Sequence, residues 1–300
     1  MSAYHIPVLL NESVSALDIK SDGIYIDATF GGGGHSREIL SRLGPDGRLI
    51  SFDRDTDAIR NAPDDQRLIL VHNNFRFVEN FVKYNGFDGV DGVLADLGVS
   101  SHQFDSGKRG FSFRFDAPLD MRMNQKAKRN AADIVNTYSQ EDLTKIFKIY
   151  GEIDKPWRAA ELICKARAIE PVQTTAQLSK VVEKMYNPQT EHKFLAKLYQ
   201  ALRIEVNLEM QALEDFLSGA LSVLKSGGRL SVITYHSLED RMVKNFMKTG
   251  NTEGEVKKDF YGKIESPFEI ITRKPIIPDE EEISSNTRSR SAKLRVAAKR

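Results

Sequence analysis

A run of four glycines, Gly31–Gly34, is the strongest candidate for a ligand-binding loop in this sequence. The run follows a predicted strand and opens a predicted helix, so the backbone can approach a ligand closely where any Cβ atom would clash. Asp53 lies 19 residues after Gly34, at the end of the next predicted strand, where its carboxylate can accept hydrogen bonds from ribose hydroxyls. A simple tight turn is the alternative interpretation of the glycines.

The spacing of the glycines differs from the dinucleotide-binding fingerprint, because the third glycine of that pattern would fall on Ser36. An adenosyl ligand without a pyrophosphate explains this departure better than a dinucleotide does. The loop and Asp53 together therefore favour an adenosyl ligand.

Polar residues also follow the fourth predicted strand, in the segment Asp96–Gln103. A polar side chain there can hold the adenine or methionine portion of such a ligand. It can also accept a hydrogen bond from an incoming nucleophile and orient its lone pair for methyl transfer. The alternative, for both Asp96 and Gln103, is a side chain that only caps a loop.

Two later segments supply further candidate groups. Asp120 and Arg122 lie at the end of a long loop, where they form either an ion pair or a site with one carboxylate facing the target. His236 follows the fifth predicted strand and is a candidate proton acceptor. The residues after it, Ser237 and Asp240, predict an ordinary helix cap.

The segment Arg109–Phe115 alternates aromatic and cationic residues. This pattern suits stacking on unpaired bases and neutralisation of phosphates. Aromatic residues with a period of two are equally typical of a half-buried strand or of a loop anchored in a core. The sequence does not decide between RNA contact and core packing here.

Between Gly23 and Gly98, short β-branched runs alternate with helical stretches at the spacing of βαβ units, which predicts a parallel sheet. The predicted strands are Ile24–Ala28, Arg48–Asp53, Arg67–His72 and Gly89–Asp96. Several of them end in an acid. Polar groups should therefore meet at the carboxyl edge of the sheet, where open α/β folds bind ligands.

Helical patterns fill the region from about residue 131 to 224, with predicted capping boxes at Ser139–Asp142 and Thr174–Gln177. No strand pattern interrupts them. We therefore predict a Rossmann-like α/β domain that is interrupted by an all-α insertion domain. The predicted parts are 1–104 and 196–300 for the α/β domain and 105–195 for the insertion.

The strand pattern resumes at Arg229–Tyr235 and ends with two further candidates, Phe268–Thr272 and Lys293–Ala297. A loop rather than a crossover helix separates these last two strands, so they should pair antiparallel at the sheet edge. A purely parallel dehydrogenase sheet would lack such a pair. This feature favours the sheet of a methyltransferase.

The net charge of +1 hides an asymmetry along the chain. Residues 105–200 contain 17 Lys and Arg against 12 Asp and Glu, a balance of +5, and the remainder has a balance of −4. Six cations and no acid follow Glu282: Arg288, Arg290, Lys293, Arg295, Lys299 and Arg300. Such clusters are typical of phosphate contacts, and a solvated charged surface is the alternative.

Three hundred residues with 40% hydrophobic and 28% charged content are typical of a soluble globular protein. Residues 1–10 fit neither a secretory signal nor a membrane span, so we expect a cytoplasmic protein without a membrane partner. Cys164 is the single cysteine, which excludes an internal disulfide and a cysteine-built zinc site, and no metal is predicted. The helical pattern from 192 to 224 is compatible with a homodimer and equally with packing inside the chain.

Taken together and in chain order, these segments resemble the MraW family of methyltransferases. The segments that carry the resemblance are Gly31–His35, Asp53, Asp96–Ser101, Arg109–Phe113, Leu119–Met123, His236–Arg241 and Ser289–Arg295. The resemblance implies a class I methyltransferase fold that uses S-adenosylmethionine. It also implies N4-methylation of a cytidine in the decoding centre of 16S rRNA, in the small ribosomal subunit.

Carried over position by position, the resemblance implies seven cofactor contacts: Gly33, Gly34, His35, Asp53, Phe75, Asp96 and Gln103. The candidate catalytic residues are Asp96, Asp120 and His236. Amino-methyltransferases that act on DNA commonly carry two prolines and an aromatic residue after the fourth strand, and Leu97–Val99 lacks them. How the target amine is held therefore stays open.

Two other functions share some of these features. A nicotinamide-dependent oxidoreductase would share the glycine loop and the ribose-binding acid. A non-catalytic RNA-binding assembly factor would share the basic insertion and tail.

Overall fold

The computed structural model describes residues 7–98, 107, 109–256, 258, 260, 262 and 265–300. The chain forms two compact units. The first, here called the α/β unit, comprises Met1–Gly98 and Gln211–Arg300, and the second, the helical unit, comprises Val99–Met210. The helical unit thus reaches further along the chain in both directions than the insertion predicted at 105–195.

The α/β unit contains one seven-stranded sheet. Its strands are β1 (Ile24–Asp27), β2 (Arg48–Asp53), β3 (Leu68–His72), β4 (Val90–Asp96), β5 (Leu224–Thr234), β6 (Phe268–Ile270) and β7 (Lys293–Lys299). They lie in the order β3-β2-β1-β4-β5-β7-β6. Strands β1–β5 are parallel, and β7 runs antiparallel to both β5 and β6.

This sheet confirms the predicted fold class, a class I methyltransferase sheet with an antiparallel pair at its edge. The central strands are apolar along nearly their whole length because helices cover both faces of a parallel sheet. In β4, for example, only Asp91 and Asp96 are not fully buried. The two charged ends and the apolar middle explain why this strand could be predicted from sequence.

The helices of the described residues are α1 (Leu10–Ser15), α2 (Gly34–Arg42), α3 (Thr56–Ile59), α4 (Val78–Tyr84), α5 (Ala131–Thr137), α6 (Gln140–Ile149), α7 (Pro156–Arg167), α8 (Thr175–Val181), α9 (Glu191–Asn207), α10 (Glu209–Val223), α11 (Ser237–Thr249) and α12 (Glu280–Ser285). Among these, we find none that combines the length and the apolar character needed to cross a membrane.

The helical unit is held by its own apolar core, which includes Phe147 from α6, Ile163 from α7 and Leu202 from α9. Both hydrogen bonds of the predicted capping box are present: the Thr174 side chain accepts from the backbone N–H of Gln177, and the Gln177 side chain accepts from that of Thr174. At Ser139 the hydroxyl accepts from the backbone N–H of Asp142, as predicted, and also donates to the Asp142 carboxylate. Packing inside the chain therefore accounts for the apolar faces of these helices.

The aromatic segment of the helical unit is largely part of this core. Phe111 is buried, Phe113 packs partly buried against the same cluster, and Phe115 is half exposed. The guanidinium of Arg109 lies 5.4 Å from the centre of the Phe111 ring and donates to the carbonyl oxygens of Arg122 and Met123. The segment does not form a strand, and core packing is the better interpretation for Phe111 and Phe113.

Two basic residues of the last strand, Arg295 and Lys299, make contacts inside the protein. Arg295 donates to both carboxylate oxygens of Asp240, at 2.7 and 3.2 Å. Burial alone would raise the pKa of Asp240, but the hydrogen bonds and charges of Arg295 and Lys293 together bring it below its ordinary value. Lys299 donates to the carbonyl oxygens of Leu221 and Leu224, where α10 gives way to β5.

Candidate active site

The carboxyl ends of the parallel strands bring several predicted site residues to one edge of the sheet. Asp27 ends β1, Asp53 ends β2 and Asp96 ends β4. The strand register places Asp27 beside Ser51 of β2 and beside Leu94 of β4. Because these strands are parallel neighbours, their carboxyl ends lie at the same edge of the α/β unit, which is where open α/β folds bind ligands.

The glycine loop follows β1 and leads into α2, as predicted. Gly31 and Gly33 have positive φ angles of 52° and 76°, which side chains rarely tolerate. A Cβ atom on Gly34 would lie 2.0 Å from Cγ of Pro7. The protein's own geometry thus requires glycine at these three positions, whereas the sequence suggested close approach of a ligand as the reason.

A buried hydrogen-bond chain fixes the start of the glycine loop. One carboxylate oxygen of Asp27 accepts from the backbone N–H of Thr29 at 3.0 Å, and the other accepts from the Ser36 hydroxyl at 2.6 Å. The Ser36 hydroxyl also lies 2.8 Å from that of Ser51. Asp27 therefore ties both ends of the loop to the strand, and its role is to position the loop.

Asp53 supports the glycine loop from the neighbouring strand. Its Oδ2 accepts from the backbone N–H of Gly31 at 2.8 Å, and its Oδ1 accepts from the N–H of Asp55 at 2.8 Å. Burial raises the pKa of Asp53, and these backbone donors oppose that rise. A third backbone donor, Arg54, also lowers this pKa, and since a carboxylate has about four acceptor positions, Asp53 can still accept from a ligand hydroxyl.

Asp96 has one carboxylate oxygen engaged by a side chain and the other directed towards His35. Its Oδ1 accepts from the hydroxyl of Tyr235 at 2.7 Å, and its backbone N–H donates to the hydroxyl of Thr29. Its Oδ2 lies 3.9 Å from Nδ1 of His35, which is too long for a hydrogen bond. Burial raises the pKa of Asp96 to about 6, although His35 and Tyr235 lower it.

His35 lies in the first turn of α2 and is buried. Its Nε2 lies 3.2 Å from the carbonyl oxygen of Val8. A carbonyl oxygen only accepts, so Nε2 carries the hydrogen and Nδ1 is directed at Asp96. This arrangement leaves two side chains of the predicted cofactor set, His35 and Asp96, close together but without a direct hydrogen bond.

Phe75 and Gln103 complete the predicted cofactor set. Phe75 follows β3 and packs edge-on against Phe216, with ring centres 5.2 Å apart. It is partly buried, so part of its surface can pack on a base. Gln103 lies outside the described residues.

Asp120 belongs to the helical unit and is engaged by Arg122. The guanidinium donates to both of its oxygens, at 2.8 and 2.6 Å. Burial would raise the pKa of Asp120, and the bonds from Arg122 bring it below the ordinary value. Of the two interpretations left open by the sequence, the ion pair is the one observed, and a lowered pKa makes this carboxylate a weak base.

The cap of α11 differs from the prediction. His236, not Ser237, is the N-cap residue, and its Nδ1 accepts from the backbone N–H of Glu239. Nε2 of His236 lies 3.1 Å from Oε1 of Glu239. The predicted partner of Ser237, Asp240, instead pairs with Arg295, because a buried ion pair with β7 competes for the same carboxylate.

Tyr235 was not among the predicted site residues, although its hydroxyl makes the shortest contact to Asp96. It comes directly after β5, and Ile233 of that strand lies in register with Asp96. The signal in the sequence was a polar aromatic residue at the end of a strand next to β4. The order of the strands, which the sequence does not show, was needed to use it.

Replacement of Gly33 by alanine tests the loop, and Gly86 provides a matched control. Both glycines have φ close to +77°, but a Cβ on Gly33 would meet the Phe30 ring at 2.8 Å, whereas a Cβ on Gly86 meets nothing within 4 Å. Because alanine disfavours the left-handed conformation, each substitution should lower the free energy of unfolding by about 1–2 kcal/mol. Gly33→Ala should lose more than Gly86→Ala in urea unfolding.

The same two variants also test whether the glycine loop contributes to ligand binding. Calorimetric titration with S-adenosylhomocysteine should show at least about a tenfold weaker affinity for Gly33→Ala, since a small shift of positioned groups costs affinity. Gly86→Ala should bind as the wild type does. Equal affinities in the two variants would contradict a role for this loop in binding.

Comparison with known proteins agrees with the motifs. A model of the MraW methylase family matches residues 2–300. Ribosomal RNA small subunit methyltransferase H of Bacteroides fragilis is 56% identical over 299 residues, covering 100% of this chain and 98% of the relative. The proteins of the same name from Bacteroides thetaiotaomicron and Flavobacterium johnsoniae are 56% and 55% identical, each covering 99% of this chain and 98% of the relative. The chain therefore belongs to the MraW methylase family.

Proposed function

We propose that this chain is a ribosomal RNA methyltransferase that methylates N4 of a cytidine in the decoding centre of 16S rRNA. The rRNA of the small subunit is the substrate class named for its relatives. The observation that carries the choice of an amine is Asp96. This carboxylate ends β4 beside the glycine loop, with one oxygen bound by Tyr235 and the other directed towards no hydrogen-bond donor among the described residues.

S-adenosylmethionine is the cofactor, and it supplies an electrophilic methyl group. The α/β unit fits it, since Asp53 holds the glycine loop through the N–H of Gly31 and retains acceptor capacity for a ribose hydroxyl. Phe75 would pack on the adenine. Gly33, Gly34, His35, Asp96 and Gln103 complete the proposed contacts.

The chain's own residues have two tasks at the target nitrogen. The lone pair of an exocyclic cytosine amine is conjugated with the ring, so an acceptor must hold an N–H and turn the lone pair towards the methyl group. The nitrogen must also lose one proton when it gains the methyl group. A carboxylate with a pKa of about 6 is ionised at neutral pH and basic enough to accept that hydrogen bond.

Asp120 and His236 remain less favoured candidates for this role. Arg122 binds both oxygens of Asp120, and Nδ1 of His236 accepts from the backbone of α11. We further propose that the cytosine flips out of its stack and enters a cleft, and that the helical unit recognises the RNA. A cytoplasmic location and a homodimer are also proposed.

The test is nucleoside mass spectrometry of 16S rRNA after incubation of small subunits with the protein and labelled S-adenosylmethionine. Subunits from a strain that lacks the protein should gain label as N4-methylcytidine. Subunits from the parent strain, which already carry the methyl group, should gain none. Label on another base would contradict the N4 assignment, and a complete absence of label would favour the non-catalytic RNA-binding alternative.

A further inference from the structure

Tyr235 is held by a backbone hydrogen bond and by the packing of its ring. Its backbone N–H donates to Oε2 of Glu239 at 3.0 Å, and its ring packs against the apolar cluster that contains Val8 and Leu294. Gly98 lies beside the ring and has a φ of 98°, a conformation that favours glycine. The hydroxyl is thereby fixed at Asp96.

The direction of the hydrogen bond between these two side chains follows from their chemistry. Burial raises the pKa of Tyr235 well above its ordinary value, and the negative charge of Asp96 raises it further. The phenol therefore keeps its proton and donates it to Oδ1 of Asp96. An ionised carboxylate only accepts, so this bond stabilises its charged form.

The bond also distinguishes the two oxygens of Asp96. Oδ1 is occupied by the phenol, whereas Oδ2 lies 3.9 Å from Nδ1 of His35. Nε2 of His35 faces the carbonyl oxygen of Val8 and carries a hydrogen. Among the described residues, none donates a hydrogen bond to Oδ2 of Asp96, so this oxygen is available to a hydrogen of an amino nitrogen.

Among the residues that the structure describes, four titratable groups act on the carboxylate of Asp96. Tyr235 follows β5, His35 belongs to α2, Asp27 ends β1, and Glu239 lies in α11. His35 and Tyr235 favour the ionised form, while burial and the two acids oppose it. Removal of the phenol hydroxyl would therefore raise the pKa of Asp96, because burial and the two acids would be less strongly opposed.

We propose that Tyr235 is a positioning residue for methyl transfer, which orients Asp96 through Oδ1 so that Oδ2 meets an N–H of the amine that receives the methyl group. This role rests on the proposed function. It assigns the phenol no contact with the substrate, and it explains why a tyrosine rather than an apolar residue ends this buried strand.

The test compares Tyr235→Phe with the wild type in single-turnover methylation of small subunits at saturating S-adenosylmethionine, between pH 5.5 and 8.5. A hydrogen bond to a charged group is worth enough to shift a pKa by about one to two units. The acidic limb of the wild-type rate profile, near pH 6, should move upward by that amount in the variant. The KM for S-adenosylmethionine should change by less than about threefold, because the ring and its packing are kept.

Tyr25→Phe is the matched control. Tyr25 is a buried tyrosine of β1 whose hydroxyl accepts from the backbone N–H of Lys20, away from the site. This variant should lose stability without any shift of the pH profile. In an Asp96→Asn background, Tyr235→Phe should cause no further loss of rate, since the carboxylate that it orients is gone.

A pH titration of the carboxyl groups followed by ¹³C NMR tests the contact between Tyr235 and Asp96 without any substrate. The Asp96 signal, identified by its loss in Asp96→Asn, should titrate one to two units higher in Tyr235→Phe. An unshifted NMR titration or an unshifted rate profile would overturn the proposed role of Tyr235. A wild-type protein that transfers no methyl group would overturn the proposed function instead, and the NMR titration would still decide whether Tyr235 controls Asp96.

Discussion

Asp53→Ala should weaken binding of S-adenosylhomocysteine by about a hundredfold or more. Three backbone donors engage Asp53, and the carboxylate can still accept from a ribose hydroxyl. A hydrogen bond to a charged acceptor is worth about 1.5–3 kcal/mol, and the loss of the acceptor for Gly31 adds to the cost, which together correspond to that loss of affinity. Isothermal titration calorimetry with the wild type and the variant measures it.

The control for Asp53→Ala must separate lost ribose contacts from a disturbed glycine loop, because the backbone N–H of Gly31 also loses its acceptor. A deoxyribose analogue of S-adenosylhomocysteine provides this separation. It should bind more weakly than the parent compound to the wild type, and about as well as the parent compound to the variant. An equal penalty in both proteins would show that Asp53 does not contact the ribose. Asp65→Ala, which removes an exposed ion pair with Arg67, should bind both compounds normally.

Asp96→Asn should lower the rate of methyl transfer by about a thousandfold, within the range expected when a proton-accepting group is lost. Asparagine has the same shape, and its oxygen can still accept from Tyr235, so affinity for S-adenosylhomocysteine should fall by less than about tenfold. Single-turnover transfer of labelled methyl groups measures the rate. The wild-type rate should rise as Asp96 ionises, with its midpoint near pH 6, and the variant should lack this rise.

Stability provides the control for Asp96→Asn. The pKa of Asp96 in the folded protein lies above its ordinary value, so folding is favoured by protonation and the ionised carboxylate costs stability as the pH rises through 6. The amide carries no charge, and the variant should melt no lower than the wild type at pH 8. A variant with normal melting and undiminished methylation would remove Asp96 from the catalytic candidates.

The parallel part of the sheet could be predicted from sequence because its signals are local. Runs such as Arg48–Asp53 are apolar between a polar start and an acidic end, and glycines or loop residues follow them. The antiparallel edge was also predictable, although the connection between Phe268–Thr272 and Lys293–Ala297, predicted as a loop, contains the six-residue helix α12, which is too short to serve as a crossover helix. Asp53 and Asp96 were identified as site residues for the same reason, namely their positions at strand ends.

Long-range pairing explains the predictions that failed. Ser237 and Asp240 have the spacing of a helix cap, but Asp240 is taken by Arg295 on β7, and His236 caps the helix instead. The same pairing removes Arg295 from the set of cations available to phosphate. Tyr235 was missed because its importance depends on the neighbouring strand. No window of sequence around any of these residues contains its partner.

The division of the sheet between two stretches of chain has a consequence for how the protein folds. Strands β4 and β5 are hydrogen-bonded neighbours, yet residues 97–223 separate them, so the contact that brings Tyr235 to Asp96 has a high sequence separation. Closing so long a loop carries an entropy cost that depends on the length of flexible chain. The helical unit has its own apolar core within that stretch and can order much of the chain first. Methyl-transfer competence should therefore appear late in refolding, after helix formation is complete.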